Sequence, residues 1–195
     1  MGILAAAMPT MDPTASLQAT TTIELVRHAK AMARDRWWGK PDRDRPLTDV
    51  GVDQTLQISR ELHAHGDVVA LYASPTVRCT QTLEPLAAAT GLPIRTADGL
   101  AEAAGIPVAD DGDTWVTPAW LAGRGSAFFD QVIAEHAGGR IVACSHGDLI
   151  PAVLAHLVGR DGIAATDVRC RKGARWTLEF DGLRCVRATP VPAPS

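Results

Sequence analysis

Leu25-Val26-Arg27-His28-Ala29-Lys30 is the stretch on which the fold turns. The apolar run from Ile23 to Val26, broken only by Glu24, ends abruptly in Arg27 and His28. Such a run reads as a short buried strand that delivers a cation and an imidazole to its C-terminal tip. Open α/β sheets bind ligands in the crevice outside those tips. Taken alone, the stretch reads equally well as an Arg-His pair in a surface loop, so the rest of the chain has to decide.

Working outward, the first strand spans about Thr22 to Arg27. Residues 31–46 are polar and basic and read as a long loop around Trp37-Trp38-Gly39. Thr48 suits a helix N-cap with Asp49 in the first turn, which predicts a helix to about His65, ended by Gly66. Val68 to Tyr72 has the length and composition of a second buried strand. Ser74-Pro75 predicts a helix start, with a kink at Pro85 and a stop at Gly91. Leu92 to Arg95 predicts a short strand. Residues 99–118 read as irregular, and Asp110, Asp111 and Asp113 within them as a solvated acidic loop. Ala119 to Ala137 predicts a helix weakened near Gly123 and Gly125. Arg140 to Cys144 is a third buried strand, Ser145-His146-Gly147 a turn, and Asp148 to Val158 a helix. Two runs, Gly173 to Phe180 and Leu183 to Ala188, flank Asp181-Gly182, which is a hairpin signal. This order predicts a three-layer αβα domain over residues 21–189, with a mainly parallel central sheet.

The bulk numbers agree with one soluble domain. The chain has 195 residues, 46% hydrophobic and 21% charged, which is ordinary globular composition. A net charge of −3 gives no global electrostatic case for a nucleic acid polymer or an anionic membrane. Cys79, Cys144, Cys170 and Cys185 show neither zinc spacing nor a dense disulfide frame. Reduced thiols in a cytoplasmic protein are the simplest reading, with a Cys170–Cys185 pair left open. Residues 1–20 read as a flexible tail without a signal sequence or a membrane span, and the Pro-rich residues 190–195 as a second tail.

The strand tips now share one kind of chemistry. The first gives Arg27-His28, the second leads into Ser74-Pro75-Thr76-Val77-Arg78, and the third gives Ser145-His146-Gly147-Asp148. A parallel sheet brings these tips together, so two arginines and two histidines meet in one pocket. Guanidinium forks pair with phosphate oxygens and stay charged at any working pH. The helix start after His146 adds backbone donors, and a neutral imidazole is a competent nucleophile.

This set of residues resembles the histidine phosphatase (phosphoglycerate mutase-like) superfamily, whose signature is Arg-His-Gly at the first strand. The resemblance runs from Thr21 to Ala188. It includes Arg45-Pro46-Leu47-Thr48 followed by Gly51, Ser74-Pro75 with Arg78, Gln81 and Thr82, and Ser145-His146-Gly147. Ala29, where the signature has Gly, is similar to the SixA-type phosphohistidine phosphatases. The run from Trp37 to Thr48, with Arg78 to Leu86, also resembles the C-terminal domain of some two-domain bacterial Nudix hydrolases.

The resemblance implies roles. His28 is the expected nucleophile, forming a phosphohistidine. Arg27, Arg78 and His146 are expected to hold the phosphoryl oxygens, so that no metal or other cofactor is needed. The family places an acid some way after the second arginine; Glu102 fits as proton donor, with Asp148, otherwise a first-turn helix acid, as runner-up. Arg45 is expected to reach the pocket and bind substrate. The implied activity is a metal-independent phosphatase. Its substrate would be a phosphomonoester, a nucleotide or a protein phosphohistidine. A phosphomutase and a non-catalytic phosphate-binding module are the alternatives.

Beyond these residues, the basic insert from Lys30 to Arg45 reads either as a rim for a nucleotide or phosphoprotein, or as a solvated loop whose tryptophans pack on the domain. His63, His65, His136 and His156 receive no function. Trp115, Trp120 and Trp176 read as core or interface.

Overall fold

The computed structural model describes residues 20–103 and 115–194. They form β1 (Thr21–Arg27), α1 (Asp49–Ala64), β2 (Ala70–Ala73), α2 (Val77–Thr90), β3 (Ile94–Thr96), α3 (Val116–Glu135), β4 (Arg140–Ser145), α4 (Leu149–Asp161), β5 (Arg175–Asp181) and β6 (Arg184–Val191). Among the described residues the strands make one sheet in the order β3-β2-β4-β1-β5-β6. β1 runs parallel to β4, and β2 parallel to both β4 and β3. β5 and β6 add an antiparallel hairpin on the other side of β1. This is the expected mixed α/β plan with a mainly parallel sheet.

Alternation along β1 builds the three layers. Ile23 and Leu25 join Leu121, Phe129, Val132, Val153 and Leu154 beneath α3 and α4. Val26 points the other way, to Ile58 and Leu62 of α1 and Leu83 and Leu86 of α2. The two helix pairs thus pack on opposite faces. Glu24, the break in the apolar run, is buried in an ion cluster. It accepts from Arg140 at 2.7 Å and from Thr177 Oγ1 at 2.8 Å, and Arg175 lies 3.4 Å away.

Several expected boundaries shift for local reasons. α2 starts at Val77 and not at Pro75, because Thr76 is still extended (φ −120°, ψ 141°). Pro85 lies inside α2, which runs on unbroken in its assignment to Thr90. Gly123 and Gly125 do not interrupt α3. A Cβ at Gly125 would stand 2.4 Å from Val153 Cγ2, so the glycine lets α3 approach α4 closely. β6 continues to Val191, beyond the expected strand end at Ala188 and domain end at 189, with Pro190 opposite Trp176 and Val191 opposite Arg175. It is an edge strand, where a proline without an N–H is tolerated. The insert is no structureless loop. It holds two short 3-10 turns, Asp35–Trp37 and Asp42–Asp44, and an antiparallel bridge between Ala31 and Leu47 closes it. Cys170 and Cys185 are both free thiols. The tail at residues 1–19 and the acidic cluster of Asp110, Asp111 and Asp113 lie outside the described residues. No described helix is long and apolar enough to cross a membrane.

Candidate active site

The motif residues outside the pocket explain why the β1 tip is held where it is. Thr48 caps α1, its Oγ1 accepting from Gly51 N at 3.2 Å while donating to the Lys30 carbonyl at 3.0 Å. A Cβ at Gly51 would lie 2.1 Å from that same carbonyl, so only glycine permits the contact. Gln81 Oε1 accepts from Leu47 N at 2.9 Å, and Thr82 Oγ1 from Ala29 N at 3.0 Å. The Arg45-Pro46-Leu47-Thr48 segment and α2 therefore clamp the residues that follow His28.

His28 is 5% exposed, and its Nδ1 lies 2.8 Å from the Ala29 carbonyl. A carbonyl only accepts, so Nδ1 carries the proton and Nε2 keeps its lone pair. Burial lowers the His28 pKa to about 3; the Ala29 bond opposes this, and the charges of His146, Arg78 and Arg27 add to the lowering. The imidazole is therefore neutral at pH 7. Ala29 raises no strain. No described non-glycine residue has positive φ, and the Ala29 methyl packs with Ala31 and Leu47.

Around His28 stand the other tip residues. The His146 ring lies 5.4 Å away, centroid to centroid, and its Nε2 shares a 2.7 Å hydrogen bond with Ser74 Oγ. Arg78 is fully buried at the start of α2. Its Nη1 donates to the Asp42 carbonyl at 2.8 Å, and its Nη2 reaches Glu102 Oε1 at 2.5 Å. Arg27 Nη1 donates to the Cys170 carbonyl at 2.7 Å. Gly147 makes room for that guanidinium, whose carbon would lie 2.4 Å from an added Cβ. The Nε atoms of Arg27 and Arg78 have no partner among the described residues. Buried guanidinium donors without partners suit an incoming anion.

Glu102 also faces His146 Nδ1 at 3.7 Å and Arg34 at 3.7 Å. Asp148 is a brace for it. One carboxylate oxygen accepts from Leu149 N at 2.8 Å as the α4 cap, and the other from Ala103 N at 2.9 Å. The sequence-expected Arg27, His28, Arg45, Glu102 and His146 all line one cavity of about 480 Å³, with Arg78 bonded behind it. Cationic walls around an uncharged imidazole can bind a tetrahedral anion and attack it.

A family model described as histidine phosphatase superfamily (branch 1) matches residues 23–107 and 107–188. The chain belongs to that superfamily. The 8-oxo-(d)GTP phosphatase of Mycolicibacterium smegmatis is 31% identical over 177 residues, 90% of this chain and 49% of that protein. The chain thus spans about half the length of that curated relative. The protein histidine phosphatase SixA, complexed with tungstate, has a TM-score of 0.63 at 20% identity, covering 87% of this chain and 93% of that one. The phosphoserine phosphatase of Entamoeba histolytica, with 3-phosphoglyceric acid, has a TM-score of 0.67 at 17% identity, covering 90% and 98%. These structural likenesses show the fold.

In this member of the histidine phosphatase superfamily, three contributors to the site escaped the sequence reading as individuals. Lys172 lines the cavity. Burial lowers its pKa, as do the charges of Arg27, Arg45, Lys30 and Arg34. The turn at Gly173 (φ 78°) places it, since Gly173 N bonds the Arg27 and His28 carbonyls. Asp42 accepts from Arg45 Nε at 2.8 Å and lies 3.2 Å from Arg78 Nη2. Partial burial raises its pKa, but the Arg45 bond and the Arg78 charge more than offset this and lower it to about 2. Ser74 orients His146. The Arg169-Cys170-Arg171-Lys172 run before Gly173 was a legible basic signal; nothing in sequence pairs Asp42 with Arg78.

Proposed function

We propose that this chain is a metal-independent phosphatase acting through a phosphohistidine on His28. The observation that carries the reading is the Nδ1 bond of His28 to its neighbouring carbonyl, which leaves a neutral Nε2 in a pocket walled by cations. The superfamily membership supports the same chemistry.

In the first step Nε2 attacks phosphorus, the N–P bond forms, and the bond to the leaving oxygen breaks. Arg27, Arg45, Lys172 and His146 bind the phosphoryl oxygens and stabilise the charge spread over them. The anion competes with Glu102 for Arg78. Glu102 serves as the general acid and gives a proton to the leaving oxygen. In the second step water attacks phosphorus, Glu102 accepts its proton, and the N–P bond breaks to release phosphate and neutral His28. Asp148 acts as a positioning residue, because both of its carboxylate oxygens are bonded to backbone N–H groups.

The substrate is a phosphorylated small molecule, a nucleotide or a protein phosphohistidine. The nucleotide named for the mycobacterial relative supports the second of these. Four free, buried thiols suit a reducing compartment, and we place the protein in the cytoplasm. A panel of p-nitrophenyl phosphate, phosphoserine, nucleotides and a phosphohistidine peptide tests the reading. The wild type hydrolyses at least one class, and His28→Ala loses that activity by at least about 10³-fold. Equal rates for the two proteins on every substrate would sink it.

A further inference from the structure

A second cavity, of about 570 Å³, opens beside the phosphoryl site. Arg34, Glu102 and Asp148 line both cavities, so they are contiguous. The far one is bounded by Trp37, Trp38, Lys40 and Asp42. The two tryptophans differ. Trp37 is anchored, with Nε1 donating to the Pro41 carbonyl at 3.0 Å and Lys40 Nζ 4.3 Å above its ring. Trp38 is 88% exposed, and its ring makes no hydrogen bond, ring contact or cation contact among the described residues. An indole ordinarily buries most of its large apolar surface. Left bare beside a cavity, it offers a stacking face for a flat ring.

This platform is tied to the phosphoryl site through Asp42. Arg78 Nη1 donates to the Asp42 carbonyl, and Arg45 Nε to its carboxylate, each at 2.8 Å. Between the two cavities stands Arg34, 3.3 Å from Asp42 and 3.7 Å from Glu102, with its side chain 73% exposed. Exposed ion pairs of this kind contribute little, so the guanidinium can turn to a bound anion. Arg27, Arg45 and Lys172 add further positive charge to the near cavity. The carboxylates of Asp42, Glu102 and Asp148 share these walls, and Arg34 is the near-cavity cation that the phosphoryl step above leaves unassigned. A ligand that also engages Arg34 and Trp38 carries a further phosphate at one end and a flat ring at the other.

The geometry points to a nucleoside polyphosphate, with its terminal phosphoryl over His28, an inner phosphate at Arg34 and its base on Trp38. This assignment rests on the phosphatase reading above and narrows its substrate. A phosphohistidine protein meets the same phosphoryl site but gives Trp38 no necessary partner.

The direct test measures binding, so it does not depend on turnover. His28→Ala protein is titrated calorimetrically with a nucleoside triphosphate and with inorganic tripolyphosphate. The nucleotide binds about tenfold or more tightly than tripolyphosphate. Trp38→Ala in the same background removes that advantage, and Trp38→Phe keeps most of it. Trp38 is a surface residue, so the substitution does not threaten the fold. As a second measurement in otherwise wild-type protein, Trp38→Ala lowers the ratio of kcat/KM for nucleotide to that for tripolyphosphate by a similar factor. Equal affinities for the two ligands, or a nucleotide advantage that survives Trp38→Ala, overturn the base site. So does a phosphohistidine peptide that outcompetes the nucleotide and loses affinity with Trp38→Ala. A hydrolytic enzyme with no nucleotide preference refutes this inference alone, whereas identical wild-type and His28→Ala rates refute the phosphatase reading.

Discussion

Arg78 Nη2 and Glu102 Oε1 lie 2.5 Å apart, joining the first turn of α2 to the segment that follows β3. The contact is held from both sides. Ser145 Oγ donates to the Leu100 carbonyl at 2.7 Å, and Arg124 donates to the Ala101 carbonyl. In the proposed mechanism this contact holds the Glu102 carboxyl at the wall of the His28 cavity, where a leaving oxygen would need its proton.

Glu102→Gln should therefore show a leaving-group dependence. Hydrolysis of an alkyl phosphate, whose alkoxide must be protonated, falls by about 10²–10⁴-fold. Hydrolysis of p-nitrophenyl phosphate, with its acidic phenol, falls far less. Steady-state kinetics on the two esters checks this, and an equal loss on both would show that Glu102 only positions Arg78.

The pH dependence follows from His28. Its pKa is about 3 folded against 6.5 for the ordinary imidazole. The unfolded chain therefore binds more protons than the folded one between those values, and stability falls as pH drops through that window. The full effect is on the order of a few kcal/mol. His28→Asn should flatten the loss of Tm between pH 7 and pH 4 relative to the wild type. A wild-type and variant difference that stays constant with pH would contradict the buried neutral imidazole. For the same reason, kcat/KM should show no acidic limb from His28 near pH 6.5.

Two glycines should separate stability from binding. At Gly51 an added methyl meets the Lys30 backbone carbonyl at 2.1 Å, which cannot move cheaply. Gly51→Ala should destabilise by roughly 1–3 kcal/mol, seen as a Tm lower by several degrees. At Gly147 the methyl meets the end of the Arg27 side chain at 2.4 Å, which can swing aside. Gly147→Ala should leave Tm near the wild-type value and raise KM, because Arg27 loses its position. Identical behaviour of the two variants in melting and kinetics would refute this division.

Asp42→Asn should weaken the hold on two arginines at once. Its carboxylate, with a pKa lowered to about 2, accepts from Arg45 and faces Arg78. Misplacing groups that orient a substrate is expected to lower kcat/KM by about 10²-fold. Asp44→Asn, two residues away and paired among the described residues with exposed Arg43 at 3.6 Å, serves as the comparison. Equal effects of the two substitutions would remove Asp42 from the site.

Much of this arrangement was legible in the chain. Arg27-His28 after an apolar run, Arg78 one turn past Ser74-Pro75, and His146 after Arg140 to Cys144 each mark a strand tip. A parallel sheet has one way to gather such tips. Glu102 and Arg45 came from the motif pattern, and the structure brings both to the cavity. The element edges were less legible: Thr76 stays extended although Ser74-Pro75 looks like a helix start, and close-packed Gly125 answers to Val153, distant in sequence. Asp42 has no role legible within the basic insert, since its partner Arg78 lies on another element. Lys172 was missed because it stands near the sheet's antiparallel side, in a turn whose place over β1 depends on Gly173 bonding to Arg27 and His28. Pro190 looked like a tail residue because proline rarely sits in strands; the sheet edge admits it.

The proposed mechanism requires His28 to carry the phosphoryl group. A substrate labelled at its terminal phosphate, mixed with enzyme and quenched within one turnover, tests this. Phosphoryl transfer to His28 gives protein-bound phosphate that is labile in acid and stable in base, located on His28 by mass spectrometry and absent from His28→Ala. Full hydrolysis with no protein-bound label, or label on any other residue, would contradict it.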